Sequence, residues 1–282
     1  MRLISPKKVL QQNRANTGRK SAHSGTSACS QKQTCRSIRA KFIFGLKRGR
    51  QRLVTGKPHV NLNGCAQNKT ECLSSLRGSG WTTLQWPATE RLARLGSWMF
   101  GADRLESSLR PPKSEILRAT GESAARPGSK SAMRGLHEFP LHTDQAFDRL
   151  PPRYLFLRSI SGQSASSTQL VAFDDVDVDK KLASDLRAGL WVTGNSRHAH
   201  VCAVLEGQRV RWDADCMRPM DRIAKRAHIN FSEVLHESSH ASHIWSDTCT
   251  VLVVDNWRTL HGRMRVCQSE GRTLERLLVE VN

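Results

Sequence analysis

His142-Thr143-Asp144 places an imidazole and a carboxylate two positions apart. On an extended strand such residues point the same way, so both side chains can converge on one ion. The pattern is weak alone. With 11 histidines in the chain, an HxD arises by accident about half the time, and the bland alternative is a surface histidine beside a capping aspartate. A second stretch, TVLVVDNWRTLHGR at 250–263, is an apolar strand that runs into Asp255-Asn256-Trp257-Arg258 and then His261-Gly262-Arg263. A third, GRTLERLLV, carries Arg272, Leu274 and Arg276 at even spacing, hence on one face of a strand, with the two arginines about 13 Å apart. His236, His240 and His243 in HESSHASH have a spacing that suits zinc on a helix, but SSHAS has the composition of a loop. His198 and His200 alternate on a presumed strand and read as packed or solvent-facing.

These residues need elements to position them. Short strands are expected at 153–160, 168–173, from 198, from 208 and at 250–256, with RTLERLLVEV continuing to the C-terminus. Helical stretches interrupt them around 178–190 and 221–237. A further helical pattern, ATERLARLGSWMFGADRLESSL, sets Leu92, Leu95 and Met99 near one face. The Pro/Ser/Gly-rich run at 110–133 reads as a connection. Trp191, Trp212 and Trp245 read as core, and Trp257 as packing. Many short strands with a few helices predict a mainly β fold with flanking helices, a sandwich or jelly roll.

Composition bounds the alternatives. The formal net charge is +19, but residues 1–70 hold 16 of the 44 basic residues and none of the 25 acidic ones. The remainder, 28 basic against 25 acidic, is nearly balanced at +3. The basicity therefore belongs to residues 1–75, which are expected to be a basic, disordered segment too poor in apolar surface to offset its ordering entropy. A genuine basic arm and a translation start placed upstream of the true one both remain open. Residues 76–282 are expected to form the folded domain. No apolar run is long enough for a membrane span, and the basic start lacks the apolar core of a secretory signal, so a cytoplasmic protein is expected. None of the eight cysteines forms a CxxC pair, which signals neither a zinc knuckle nor a redox motif. Cys202 and Cys249 read as small buried hydrophobes.

The stretch DNWRTLHGR resembles the 2-oxoglutarate-dependent oxygenases of the taurine dioxygenase and γ-butyrobetaine hydroxylase group, including clavaminate-synthase-like enzymes. FPLHTDQAFDRLPPRYLFLRS is similar to that group's segment around its HxD, and RWDADCMRP at 211–219 to its middle region. The resemblance implies a double-stranded β-helix with His142, Asp144 and His261 as ligands of Fe(II), the catalytic centre. Two imidazoles and one carboxylate on one face leave metal positions open for 2-oxoglutarate and O2. It further implies that Thr168, 24 residues after Asp144, and Arg272 hold the 2-oxoglutarate. A planar guanidinium fork suits the far carboxylate of that cosubstrate. Arg276 is left for the primary substrate, a small and anionic molecule. Asn256 and Arg258 are expected to brace the turn before His261. The interval from Asp144 to His261, 117 positions, is compact and implies a small substrate-covering insert.

The implied reaction couples oxidation of that small molecule to release of succinate and CO2. A nucleic-acid-binding protein that uses the basic N-terminus is a separate class, with salt-sensitive binding, but no RNP, zinc-finger or helix-turn-helix signature accompanies the charge. A nucleic-acid-demethylating oxygenase and an inactive member of the group complete the alternatives. The oligomeric state is left open.

Overall fold

The computed structural model describes residues 65–102, 113–194, 199–267 and 271–280, all within one compact unit that spans Thr55–Asn282. The expected lack of structure over residues 1–64 lies outside them, as does His198. The folded chain begins earlier than expected. Helix α1 (Cys65–Ser79) takes in residues 65–75 of the segment expected to be disordered, and its Cys72 and Leu76 are buried. No helix among the described residues is long and apolar enough to cross a membrane.

The strands follow in chain order as β1 (Trp81–Gln85), β2 (Lys113–Arg118), β3 (Phe139–His142), β4 (Tyr154–Ser159), β5 (Ser164–Ala172), β6 (Trp191–Thr193), β7 (His200–Cys202), β8 (Leu205–Glu206), β9 (Arg209–Val210), β10 (Arg218–Pro219), β11 (Ala241–Trp245), β12 (Thr250–Asp255), β13 (Thr259–Arg263) and β14 (Thr273–Val279). Two antiparallel sheets dominate, one in the order β1-β12-β4-β14-β2 and one in the order β11-β5-β13-β3. This is the double-stranded β-helix, or jelly roll, that the sequence pattern predicts.

The remaining helices are α2 (Leu92–Phe100), α3 (Lys130–Arg134), α4 (Lys180–Ala188) and α5 (Arg222–Glu237). Asp179 and Asp221 cap α4 and α5, accepting from Leu182 N and Ala224 N at 2.6 Å each. A side-chain oxygen there satisfies a backbone N–H that has no partner within the helix. Ala224, Ala227, Phe231 and Leu235 recur at helical spacing on α5 and are all buried.

Several strands, among them β1, β2, β6, β10 and β11, were not legible, and β2 and β11 matter most to the site. β2 lies in the stretch read as a connection, because KSEILR is an edge strand that pairs on one side with β14 alone and leaves Ile116 half exposed. β11 begins within the SSHAS segment read as a loop, at Ala241. It exists because it pairs with β5 and buries Trp245 completely.

Three apolar clusters separate the layers. Phe156, Val251, Val253, Leu277 and Val279 pack against α1 and α2 on the outside of the five-stranded sheet. Leu155, Leu157, Leu252, Val254 and Leu274 face the other way, into the space between the sheets, with Leu170 and Trp245. Leu141, Val171 and Leu260 turn outward from the four-stranded sheet onto α4, α5, Trp191 and Trp212. Alternation along each strand thus assigns every residue to one layer.

Gly262 lies where β13 crosses β3 at a register shift. A Cβ there would sit 2.7 Å from the Phe139 carbonyl oxygen, a backbone atom that cannot move cheaply. Gly262→Ala is expected to lower stability by about 1–3 kcal/mol, read by urea denaturation.

Candidate functional site

Strand parity aims the candidate residues into the space between the sheets. His142 follows the outward Leu141 and His261 follows the outward Leu260, so both imidazoles point inward. They are register partners across β3 and β13, with ring centroids 4.6 Å apart. Thr168 has the parity of the inward Leu170, and Arg272 and Arg276 that of the inward Leu274.

Asp144 completes the cluster just beyond β3. Its Oδ1 lies 3.7 Å from Nε2 of both His142 and His261, and one ligand atom of each residue lies within 4.8 Å of the others. Two ligand atoms with bonds of about 2.1 Å to a common ion lie at most about 4.2 Å apart, so the carboxylate fits a shared ion with either imidazole. All three residues are buried. Nδ1 of His142 donates to Pro140 O at 2.8 Å, which leaves the Nε2 lone pair for a metal. Burial pushes the Asp144 carboxyl up, but Arg276 and the two histidines outweigh it and hold the group well below its ordinary value. Burial, then the neighbouring His142, push His261 down. A charged carboxylate and a neutral imidazole are the forms that bind a metal. Among the described residues no other group of this kind occurs. His240 bonds to Ser238 and to the Leu235 carbonyl at the end of α5 instead.

The turn after His142 is clamped from several sides. Thr143 N donates to Trp212 O, and Thr143 Oγ1 accepts from Trp212 N. Asn256, fully buried, accepts from Asp144 N at 2.7 Å and donates to Asp144 O at 3.0 Å and Pro152 O at 2.9 Å. Asn256 therefore braces Asp144 itself, the candidate carboxylate ligand, and not only the turn before His261. Gln145 follows with φ 53°, a left-handed conformation that costs a non-glycine residue energy and persists only where surroundings enforce it. Arg211 supplies part of that enforcement, donating to the carbonyls of Ala146, Asp148 and Arg149. These three carbonyls lie more than 60 positions from Arg211, so its bracing of this turn is not visible in the local sequence. Trp257 packs as expected and donates to Pro151 O. Arg258 reaches Arg77 O and Asp174 rather than the ligands.

Arg272 and Thr168 meet as a pair. Nη2 of Arg272 donates to Thr168 Oγ1 at 2.8 Å, and Trp245 Nε1 donates to the same oxygen at 3.2 Å. Burial, then Arg263, lower the Arg272 guanidinium to about 9. Its Nε is buried without a hydrogen-bond partner. Glu275, one strand position too odd to share this face, bonds instead to Arg158 and Ser114. Among the described residues no acid pairs with this buried guanidinium, a donor set that suits an anionic ligand. Arg276 differs. Its Nη1 donates to Asp144 Oδ2 at 3.1 Å and its Nη2 to Glu115 Oε2 at 2.7 Å. Glu115 lies on β2, the strand hidden in the presumed connection.

No family model matches the chain, and no curated protein matches it in sequence. Solved structures do match in fold. An asparagine oxygenase in complex with Fe(II), 2S,3S-3-hydroxyasparagine and succinate superposes with a TM-score of 0.58 at 16% identity, over 76% of this chain and 79% of that one. The non-haem iron oxygenase OrfP, with Fe, succinate and (3S)-hydroxy-L-Arg, gives 0.58 at 16% identity over 79% and 81%. PvcB from Pseudomonas aeruginosa, described as an Fe, α-ketoglutarate dependent oxygenase from an isonitrile synthetic pathway, gives 0.55 at 13% identity over 75% and 79%. The chain has the jelly-roll fold of these non-haem iron oxygenases.

Asn256→Ala strands one buried N–H and two carbonyls at the HxD turn. It is expected to cost about 2–4 kcal/mol and to weaken divalent metal binding, read by denaturation with and without Mn(II).

Proposed function

We propose that the protein is an Fe(II)- and 2-oxoglutarate-dependent dioxygenase that oxidises, by hydroxylation, a small organic substrate. One observation carries this reading. A buried two-histidine, one-carboxylate cluster and the buried Arg272–Thr168 pair open into the same space between the two sheets. In this assignment His142, Asp144 and His261 hold the iron, and Arg272 with Thr168 holds the far carboxylate of 2-oxoglutarate. The chemistry the metal and cosubstrate supply, with O2, is oxidation of the substrate coupled to decarboxylation of 2-oxoglutarate to succinate and CO2. The chain's own contribution is to fix the ligands, to keep His261 neutral and Asp144 charged, and to line the chamber with Leu170, Trp245 and Leu274, which exclude water.

Arg276 is the proposed substrate contact. Its guanidinium bridges Asp144 to Glu115, whose side chain is 36% exposed. An anionic group on the substrate would take Nη2 in exchange for Glu115, while Nη1 continues to orient Asp144. The molecules bound in two of the fold neighbours, 3-hydroxyasparagine and 3-hydroxyarginine, carry a carboxylate and so support this class. A balanced charge over the domain, with the basic excess confined to residues 1–70, favours a small molecule over nucleic acid. The activity is assigned to the domain from Cys65 onward.

Anaerobic titration of Fe(II) and 2-oxoglutarate should produce the weak visible charge-transfer band of the metal-bound 2-oxo acid. His261→Ala should abolish it, and a wild-type band in that variant would rule out the ligand assignment. Arg272→Ala should weaken 2-oxoglutarate binding roughly a hundredfold and Thr168→Ala roughly fivefold, since a charge-assisted pair outweighs one neutral hydrogen bond. Equal losses would sink the division of roles. Deletion of residues 1–64 should leave the band intact. For the substrate, succinate release should be stimulated by an anionic compound among amino acids, sulfonates, betaines and aryloxy acids. The stimulation should disappear in Arg276→Ala, and its persistence there would remove Arg276 from substrate binding.

A further inference from the structure

His243 lies on β11, directly opposite Thr168 in the register of β11 with β5. Its ring meets Trp245 edge-on at 4.3 Å between centroids, while the intervening Ile244 is 66% exposed. His243 therefore turns inward with Trp245, toward the hydroxyl that Arg272 and Trp245 both address. Its Nε2 is buried and has no hydrogen-bond partner.

The donors and acceptors around Thr168 do not balance. A hydroxyl has one proton to give and two lone pairs to receive with. Trp245 Nε1 and Arg272 Nη2 occupy both lone pairs of Thr168 Oγ1. The Thr168 proton then needs an acceptor, and so does Arg272 Nε–H. His243 Nε2, also unpartnered, joins them as a third donor in the tautomer that carries its proton there. Buried donors with no acceptor among the described residues are costly. A carboxylate is acceptor-only, with about four lone-pair sites on two oxygens. It can satisfy all three.

We propose that His243 is a cosubstrate-binding residue, donating from Nε2 to the far carboxylate of 2-oxoglutarate alongside Thr168 and Arg272. This rests on the assignment of Arg272 and Thr168 to that carboxylate. Burial, then Arg272, lower the His243 imidazole to about 4, against a smaller opposing pull from Asp247. The ring is neutral at ordinary pH, so it supplies one donor without repelling the Arg272 guanidinium. Because β11 is an edge strand held in register by β5, this donor stands at a set depth in the chamber. It favours an acid whose second carboxylate reaches that depth.

The test is isothermal titration calorimetry on the anaerobic Fe(II) protein with 2-oxoglutarate and with 2-oxobutyrate. Both acids share the 2-oxo acid end, and only the first has a far carboxylate. His243→Leu is expected to weaken 2-oxoglutarate about tenfold or more and to leave 2-oxobutyrate within about twofold of wild type. His243→Gln, which keeps a side-chain N–H, should restore most of the loss. If His243→Leu binds 2-oxoglutarate as wild type does, or loses both acids equally, the role of His243 is overturned while the cosubstrate reading stands. If wild type does not prefer 2-oxoglutarate over 2-oxobutyrate, the cosubstrate reading fails first and this inference with it.

Discussion

Asp144 is a carboxylate kept charged while buried, and the rest of the site is arranged around the cost of that. Removing an ion from water costs several kcal/mol even after the surroundings relax. Here three cationic or polar neighbours offset it: Arg276 at 3.1 Å and two imidazoles at 3.7 Å. A side chain held this way needs its backbone held too. The Asn256 amide does so, closing a two-way pair with the Asp144 N–H and carbonyl. Asp144 and the turn that leads to His261 are thereby one mechanical unit, although 117 positions separate the two residues along the chain.

The two sheets give that unit its rigidity. β13 is paired on both sides, with β5 and β3, so His261 cannot shift without breaking two ladders. β3 is an edge strand, yet Thr143 and Arg211 fasten the chain that follows it to the β9–β10 region. Sites built on paired strands hold geometry better than sites on loops. The aliphatic layer between the sheets then has two functions, stabilising the sandwich and lowering the local dielectric, so that each charged contact inside counts for more.

The two charged partners of this space are handled differently. Arg272 is buried beside Thr168 and keeps an Nε–H with no hydrogen-bond partner. Arg276, four residues on and on the same face, is balanced by Asp144 and Glu115. The pair illustrates why a shared strand face does not imply a shared role. What each arginine meets, across the sandwich or on the neighbouring strand, decides its electrostatics.

Local sequence carried much of this. Short apolar runs in TVLVVD and YLFLRS, and the mixed run TLERLLV, mark strands because a strand covered on both faces is apolar at nearly every position. Strand parity sent His142, His261, Thr168, Arg272 and Arg276 to one face each. The motif stretches identified the metal-binding candidates because that chemistry needs particular residue types at short spacing. What needed the tertiary structure was everything settled across strands. KSEILR is a strand only because β14 lies beside it, and ASHIW only because β5 does. The Glu115–Arg276 pair, the Asn256 clamp on Asp144 and the place of His243 opposite Thr168 join residues between 75 and 161 positions apart. Hydrogen bonding and burial act over a few ångströms of space, and a linear sequence records which groups are present without recording which of them will stand that close.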